Sequence, residues 1–309
     1  SRAAYIGGCT SPSNVLAGKV YGIPVSGTHA HSWVMSFPNE LDAFRAFARN
    51  YPDRCVLLVD TYDTIQSGVP NAIQVFREMH ANGKPTRPGI RLDSGDLAKL
   101  SKIAHRLMRE AGFDDPLIVG SNDLEEDLIA DLKRQGAKIN AWGVGTHLIT
   151  SSDCPALSGV YKLVALEDEG AWQPRIKISS NISKATNPGR KRLVRYFDQN
   201  EVPLGDVLFD SEEPYPENGV VLGRDATQPH RAVRLKSAAR AESLLQTVFD
   251  AGKRTDPQRP IAEIRAHYLA QLTALPEEYK RLRNPEFYRV ALSERIGTLK
   301  DDLMRTPDQ

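Results

Sequence analysis

The sequence predicts an α/β protein of repeating strand–helix units, followed by a β-rich segment and a helical C-terminal region. Short apolar runs of strand length alternate with amphipathic stretches at roughly 25–35 residue intervals. A polar cluster follows each run, at the strand end where α/β barrels build their sites. After about residue 155 this alternation gives way to short strand patterns and turn residues. The boundaries are therefore 1–155 for the βα-repeat body carrying the site, 156–235 for the β-rich segment and 236–309 for the helical region.

In chain order, residues 1–8 read as the end of a helix running into Gly7-Gly8, and 14–18 as a short helix capped by Ser13 or Asn14. Residues 20–25 are a strand candidate, weakened by Pro24. The spacing of Leu41, Phe44 and Phe47 predicts a helix over 39–50. Cys55-Val56-Leu57-Leu58-Val59 suits a parallel strand buried on both faces. A helix bearing Ile65, Val69, Ile73, Phe76 and Met79 follows it. Gly89-Ile90-Arg91-Leu92 leads into a turn and a helix bearing Leu97, Leu100, Ala104 and Leu107. Strands over 117–119 and 138–142 flank a helix for which Asn122 and Glu125 form a capping-box variant. Strands are then expected at 157–165, 175–179, 193–197, 207–209 and 220–222, with a turn at Glu167-Asp168-Glu169-Gly170. Helical stripes are read over 244–249, 261–272 and 292–304.

The chain has 309 residues, 40% of them hydrophobic, enough for a sizeable core. The formal net charge of +1 argues against nucleic acid or an anionic membrane as partner. No apolar run is long enough to span a bilayer, and no signal peptide is visible. Cys9, Cys55 and Cys154 lie far apart without metal spacing, which implies a reducing, cytoplasmic setting. The start Ser1-Arg2-Ala3-Ala4 is already helix-like and carries no initiator Met, so a piece of a longer protein is expected.

His31 follows a strand candidate in a turn rich in hydroxyls, where an imidazole serves as a base or phosphoryl acceptor. The plain alternative is a histidine bonded to a backbone carbonyl. His29 reads as a lesser partner or a solvent-exposed residue. Asp60 and Asp63 suit Mg²⁺, or equally the cap of the helix after them. The guanidinium of Arg91 suits a planar carboxylate. Asp93 would hold Arg91 or contact a ribose hydroxyl. Gly120-Ser121-Asn122 and Gly143-Val144-Gly145-Thr146 read as phosphate cradles.

These residues resemble the nicotinate phosphoribosyltransferase family. The resemblance rests on Gly27-Thr28-His29-Ala30-His31-Ser32, Leu58-Val59-Asp60-Thr61-Tyr62-Asp63, Gly89-Ile90-Arg91-Leu92-Asp93-Ser94-Gly95-Asp96-Leu97 and Trp142-Gly143-Val144-Gly145-Thr146. Tyr161-Lys162-Leu163 and Asn284-Pro285-Glu286-Phe287-Tyr288 add to it. It implies an irregular α/β barrel of the type II phosphoribosyltransferase kind, with a sandwich domain. It also implies condensation of nicotinate with phosphoribosyl pyrophosphate, coupled to ATP hydrolysis, in NAD salvage. His31 matches the phosphorylated histidine, Thr28 and Arg91 match nicotinate-binding positions, and Thr146 matches a donor-binding one. Ser13-Asn14 stands where nicotinamide-using relatives carry an acid, which favours the acid substrate. Asp93 is expected to steady the ribosyl cation, and Asp60 to contact metal or ribose. The family implies a homodimer and an N-terminal portion preceding the residues that match Ser1. A nicotinamide- or quinolinate-using transferase and an inactive ligand-binding fragment are the competing readings. A third is a barrel whose strand-end clusters are only caps.

Overall fold

A computed structural model describes residues 1–84, 87–179, 185–228 and 230–305. By its contacts the chain divides into two units, Ser1–Leu157 and Ser158–Gln309.

The first unit begins with helices α1 (Arg2–Ile6), α2 (Val15–Tyr21), α3 (His31–Met35) and α4 (Glu40–Asn50). Strands β1 (Val56–Leu58), β2 (Gly89–Leu92), β3 (Leu117–Gly120) and β4 (Ala141–Trp142) alternate with α5 (Val69–Ala81), α6 (Leu97–Glu110) and α7 (Glu126–Arg134), and α8 (Thr146–Thr150) follows. The strands are parallel, in the order β1-β2-β3-β4. Parallel order puts all four C-terminal ends on one edge, so the polar turns after them share that edge. Leu57, Ile90, Leu92 and Ile118 are fully buried among Phe44, Phe76 and Met108 from the covering helices. Asn39 caps α4 at Asp42, and Asp96 caps α6 at Lys99.

Residues 20–25 form no strand, so the sheet has four strands among the described residues and not five. Asn14 caps a helix that runs to Tyr21 and stops at Gly22, whose φ of 64° is left-handed. Pro24 then has no N–H to offer a ladder. The N–H of Leu58 in β1 donates instead to His29 Nε2 at 3.1 Å. An imidazole thus satisfies an edge donor that a neighbouring strand would otherwise take.

The helix after Asp60 opens with a π-helical turn, Thr64–Gly68, in which Gly68 N donates to Asp63 O. A Cβ on Gly68 would fall 1.8 Å from Val59 O. Only glycine lets α5 lie this close to the end of β1. The Asn122–Glu125 capping box does not form. Asn122 is exposed at φ 84°, and Glu125 precedes α7 without a side-chain cap.

In the second unit a hairpin joins β5 (Ala165–Asp168) to β6 (Ala171–Pro174), turning at Glu169-Gly170. Residues 175–179 form no strand; Lys177 is tied instead to Thr186. Strands β7 (Lys191–Phe197), β8 (Pro203–Asp210), β9 (Gly219–Asp225), β10 (Ala232–Ala238) and β11 (Arg240–Ser243) follow, then the small pair β12 (Phe249–Asp250) and β13 (Lys253–Arg254). Helix α9 (Ile261–Ala274), β14 (Val290–Leu292) and α10 (Glu294–Arg305) complete the unit. Residues 236–309 are therefore not a separate helical region. The stripe at 244–249 is apolar but runs into β12, and β14 inserts into the sheet β10-β9-β14-β8-β7-β11. Sequence periodicity misses this because three residues suffice for β14, whose Ala291 and Leu292 are buried by neighbours distant in the chain. Arg195 forks onto Asp206 at 2.8 and 2.9 Å, and Tyr288 donates to the same carboxylate at 2.9 Å.

Candidate active site

The site lies at the C-terminal edge of the parallel sheet. Arg91, the third residue of β2, is its centre. Its Nε donates to Ser121 Oγ at 2.7 Å, Nη1 to Thr28 Oγ1 at 2.9 Å and Nη2 to Asp93 Oδ1 at 2.7 Å. Ser121 Oγ in turn donates to Asp93 Oδ1. Three of the five guanidinium N–H groups are thereby engaged. Two remain for a ligand, one on each terminal nitrogen. Burial pulls the Asp93 carboxyl upward, but the Ser121 and Arg91 hydrogen bonds and the Arg91 charge outweigh it, and the net shift is downward. Both of these bonds fall on Asp93 Oδ1, and among the described residues Oδ2 accepts no hydrogen bond.

A second chain of bonds runs from the same turn. Asp60, just past β1, accepts from Asp93 N and Ser94 Oγ on Oδ2, both at 2.7 Å. Its Oδ1 faces His31 Nε2 at 3.1 Å. The Asp60 side chain is 1% exposed and that of His31 39%. His31 opens α3, which Trp33 fastens to α4 by donating Nε1–H to Ala43 O at 3.0 Å. A carboxylate can only accept from the imidazole, so Nε2 carries a proton, and in the neutral ring Nδ1 carries the lone pair.

Thr28, His31, Asp60, Arg91, Asp93 and Ser121 are thus brought into one bonded network. His31 is not the carbonyl-bonded histidine of the plain alternative. The other expected residues lie on the same edge without a hydrogen bond to this network. Ser13 lies beside Gly27, whose added Cβ would stand 3.9 Å from Ser13 Cβ. Gly143 N donates to Gly120 O at 2.8 Å, so its amide is not free to cradle a phosphate. An added Gly143 Cβ would meet Ser121 Cβ at 3.3 Å, so the close approach is what glycine permits there. Gly145 and Thr146 open α8 beyond it, and Asn122 points its exposed side chain from the β3 turn.

Asp60 and Asp63 do not fit Mg²⁺. Both oxygens of Asp60 are spent on protein donors, and Asp63 Oδ1 caps Ile65 N and Gln66 N at 2.9 and 2.8 Å. No group of three or more metal-binding side chains occurs among the described residues. Asp60 is instead the carboxylate that holds His31. Sequence reading missed this and the part of Ser94, because the partners are 29 and 34 residues apart.

His29 is neither exposed nor a partner of the site. It is buried against Phe47, with ring centroids 4.7 Å apart. Burial above all brings its pKa down to about 4, and the Arg91 and His31 charges add to this. In this state it accepts from Leu58 N, so it is neutral. A histidine with a folded pKa below its unfolded value, near 6.5, takes up its proton more readily when unfolded. Its contribution is complete above pH 6.5 and is lost as pH falls toward 4. We expect the drop in unfolding free energy across that window to be about 2–3 kcal/mol smaller in His29→Gln than in the parent. Urea unfolding of both proteins at pH 7 and pH 4 checks this; equal drops would mean that another group carries the dependence.

Comparison with known proteins now bears on this geometry. Residues 190–300 match the family model described as the nicotinate phosphoribosyltransferase C-terminal domain. The nicotinate phosphoribosyltransferase of Bacillus subtilis is 45% identical over 296 residues, covering 95% of this chain and 59% of that protein. The Dictyostelium discoideum nicotinate phosphoribosyltransferase is 35% identical, covering 96% and 58%. The crystal structure of human nicotinic acid phosphoribosyltransferase superimposes with a TM-score of 0.78 at 31% identity, over 98% of this chain and 66% of that one. The chain therefore spans about three-fifths of the length of the curated relatives it matches. With similarity running through nearly all of its own length, and a parallel α/β sheet and β-rich unit matching a solved fold, the chain belongs to the nicotinate phosphoribosyltransferase family.

Proposed function

We propose that the protein condenses nicotinate with phosphoribosyl pyrophosphate to give nicotinate mononucleotide and pyrophosphate, with ATP hydrolysed through a phosphohistidine at His31. The observation that carries this reading is the network in which the Asp93-Ser94 turn supports both an anion-binding arginine and an aspartate-held histidine. The two spare N–H groups of Arg91 suit the nicotinate carboxylate. The pyridine nitrogen then attacks C1′ of the ribosyl group as pyrophosphate leaves. Asp93 Oδ2 faces the ribose, where negative charge steadies a cation-like sugar. Ser13, Ser121, Asn122, Gly143, Gly145 and Thr146 border the same edge and are proposed to shape the donor site.

In the coupled reaction His31 Nδ1 attacks the terminal phosphorus of ATP and ADP departs. Nε2–H stays on the ring, and the resulting cationic imidazole is paired with Asp60. Water later hydrolyses the N–P bond. Mg²⁺ would arrive on the phosphates of ATP and pyrophosphate, and no step here runs through a protein-bound metal. A cytoplasmic homodimer is the assembly the family resemblance supports. Among the described residues no helix is long and apolar enough to cross a membrane.

Nicotinamide is the second substrate reading. The lack of an acid at Ser13-Asn14, beside Gly27-Thr28, favours nicotinate, and a competition assay between the two separates them. The decisive assay is turnover of nicotinate, phosphoribosyl pyrophosphate and ATP, by this chain and by a form extended to the relatives' length. His31→Ala should abolish ATP consumption while leaving slow ribosyl transfer. Persistent ATP use in that variant would remove His31 from the role.

A further inference from the structure

We infer that Ser94 is a positioning residue that sets the state of His31 through Asp60. It acts at one remove, touching neither the imidazole nor the Arg91 anion site. Asp60 Oδ2 is pinned by two short bonds, from Ser94 Oγ and Asp93 N, both 2.7 Å. A carboxylate is planar, so fixing one oxygen from two directions fixes where the other points. That other oxygen, Oδ1, meets His31 Nε2 at the longer distance of 3.1 Å. The orientation of Asp60 is thus imposed from the Ser94 side, and His31 receives it.

Exposure supports the same direction of control. The Asp60 side chain is 1% exposed, whereas Ser94 lies on the solvent side of the turn. The Ser94 hydroxyl closes Asp60 Oδ2 off from water, and without it a mobile water would share that oxygen. The turn has a second attachment. While the Asp93 amide holds Asp60, the Asp93 carboxylate holds Arg91 Nη2. Asp93 therefore ties the anion site to Asp60, which Ser94 also holds, and a ligand that draws on Arg91 pulls on the turn that orients His31.

The proton position on His31 reports this without any turnover. Nitrogen NMR of the imidazoles resolves the Nε2–H and Nδ1–H forms, and a His31→Gln variant assigns the signal among the seven histidines. The parent should favour Nε2–H. Ser94→Ala should lower the ratio of Nε2–H to Nδ1–H about fivefold, as expected for losing one hydrogen bond to a charged acceptor. Ser94→Thr, which keeps the hydroxyl, should restore the ratio to within about twofold of the parent. An unchanged ratio in Ser94→Ala overturns the inference, whether or not its thermal unfolding shifts, because a purely structural serine would move stability alone. The link to phosphoryl transfer rests on the proposed function, and the two fail separately. A ratio that responds in a protein that never consumes ATP would sink the activity and keep the positioning role.

Discussion

Replacing Asp60 with asparagine should slow the proposed phosphoryl transfer to His31 by about 10²- to 10⁴-fold, up to the loss seen when an aspartate that orients a catalytic histidine is neutralised. Asp60 accepts from three donors with two oxygens: His31 Nε2, Asp93 N and Ser94 Oγ. Asparagine has one oxygen. If that oxygen faces Asp93 and Ser94, its NH₂ faces His31, demands a lone pair on Nε2 and drives the proton to Nδ1. The nitrogen meant to attack then no longer has a free pair. If the amide flips, the Asp93 N–H of the turn is left facing a donor. Both outcomes also withdraw the negative charge that pairs with a phosphorylated ring. Single-turnover labelling with terminally labelled ATP measures the rate. A variant within fivefold of the parent would show that Asp60 does not govern His31.

Gly68→Ala should destabilise the first unit by about 3 kcal/mol, the upper part of the usual cost of overpacking. The φ at Gly68 is −59°, so no backbone strain is involved and the effect is steric alone. The new methyl would stand 1.8 Å from Val59 O and 2.7 Å from Val59 C, and backbone cannot swing aside as a side-chain tip can. Val59 is itself tied to β2, its N–H donating to Arg91 O at 3.2 Å. Any relief must move α5, or move Val59 and with it Asp60. Loss of the proposed His31 phosphorylation at temperatures below the unfolding midpoint is therefore expected alongside the lower midpoint. A cost under 1 kcal/mol with intact phosphorylation would mean that α5 slides along β1 freely.

Some of this was legible in the residues. Periodicity located α4, α5 and α6 because each presents a one-sided apolar stripe to the sheet, and a stripe is a local property. Apolar runs located β1 and β3 for the same reason, and the short apolar lead-in before Arg91 located β2. The turn after each strand named Asp60, Asp93 and Ser121, and the end of β2 named Arg91, since polar side chains at the end of a buried strand must gather at one edge of a parallel sheet. Motif order carried the family resemblance, which the relatives bear out along nearly the whole chain.

What the residues did not decide was which polar group meets which. Asp60 reads equally as a metal ligand, a ribose contact or a cap, because a carboxylate suits all three. Tertiary packing chose a fourth role by closing three donors over its two oxygens. His29 and His31 are chemically alike in sequence, but burial against Phe47 makes one a neutral strut for Leu58, while its neighbour stays open to solvent. At Val20-Tyr21 the expected strand is taken by the end of a helix, whose cap and left-handed Gly22 are stronger local signals than the apolar run, and residues 23–25 stay irregular. Strand β14 is defined only by the two strands it enters. The sequence alone determined the main helices and strands of the βα-repeat body, the edge of the sheet that carries the chemistry and the family resemblance, because those follow from local periodicity and residue order. Only the tertiary structure decided the hydrogen-bond partners, because each of them joins segments tens of residues apart, and a polar group taken out of water bonds to whatever the fold brings within reach.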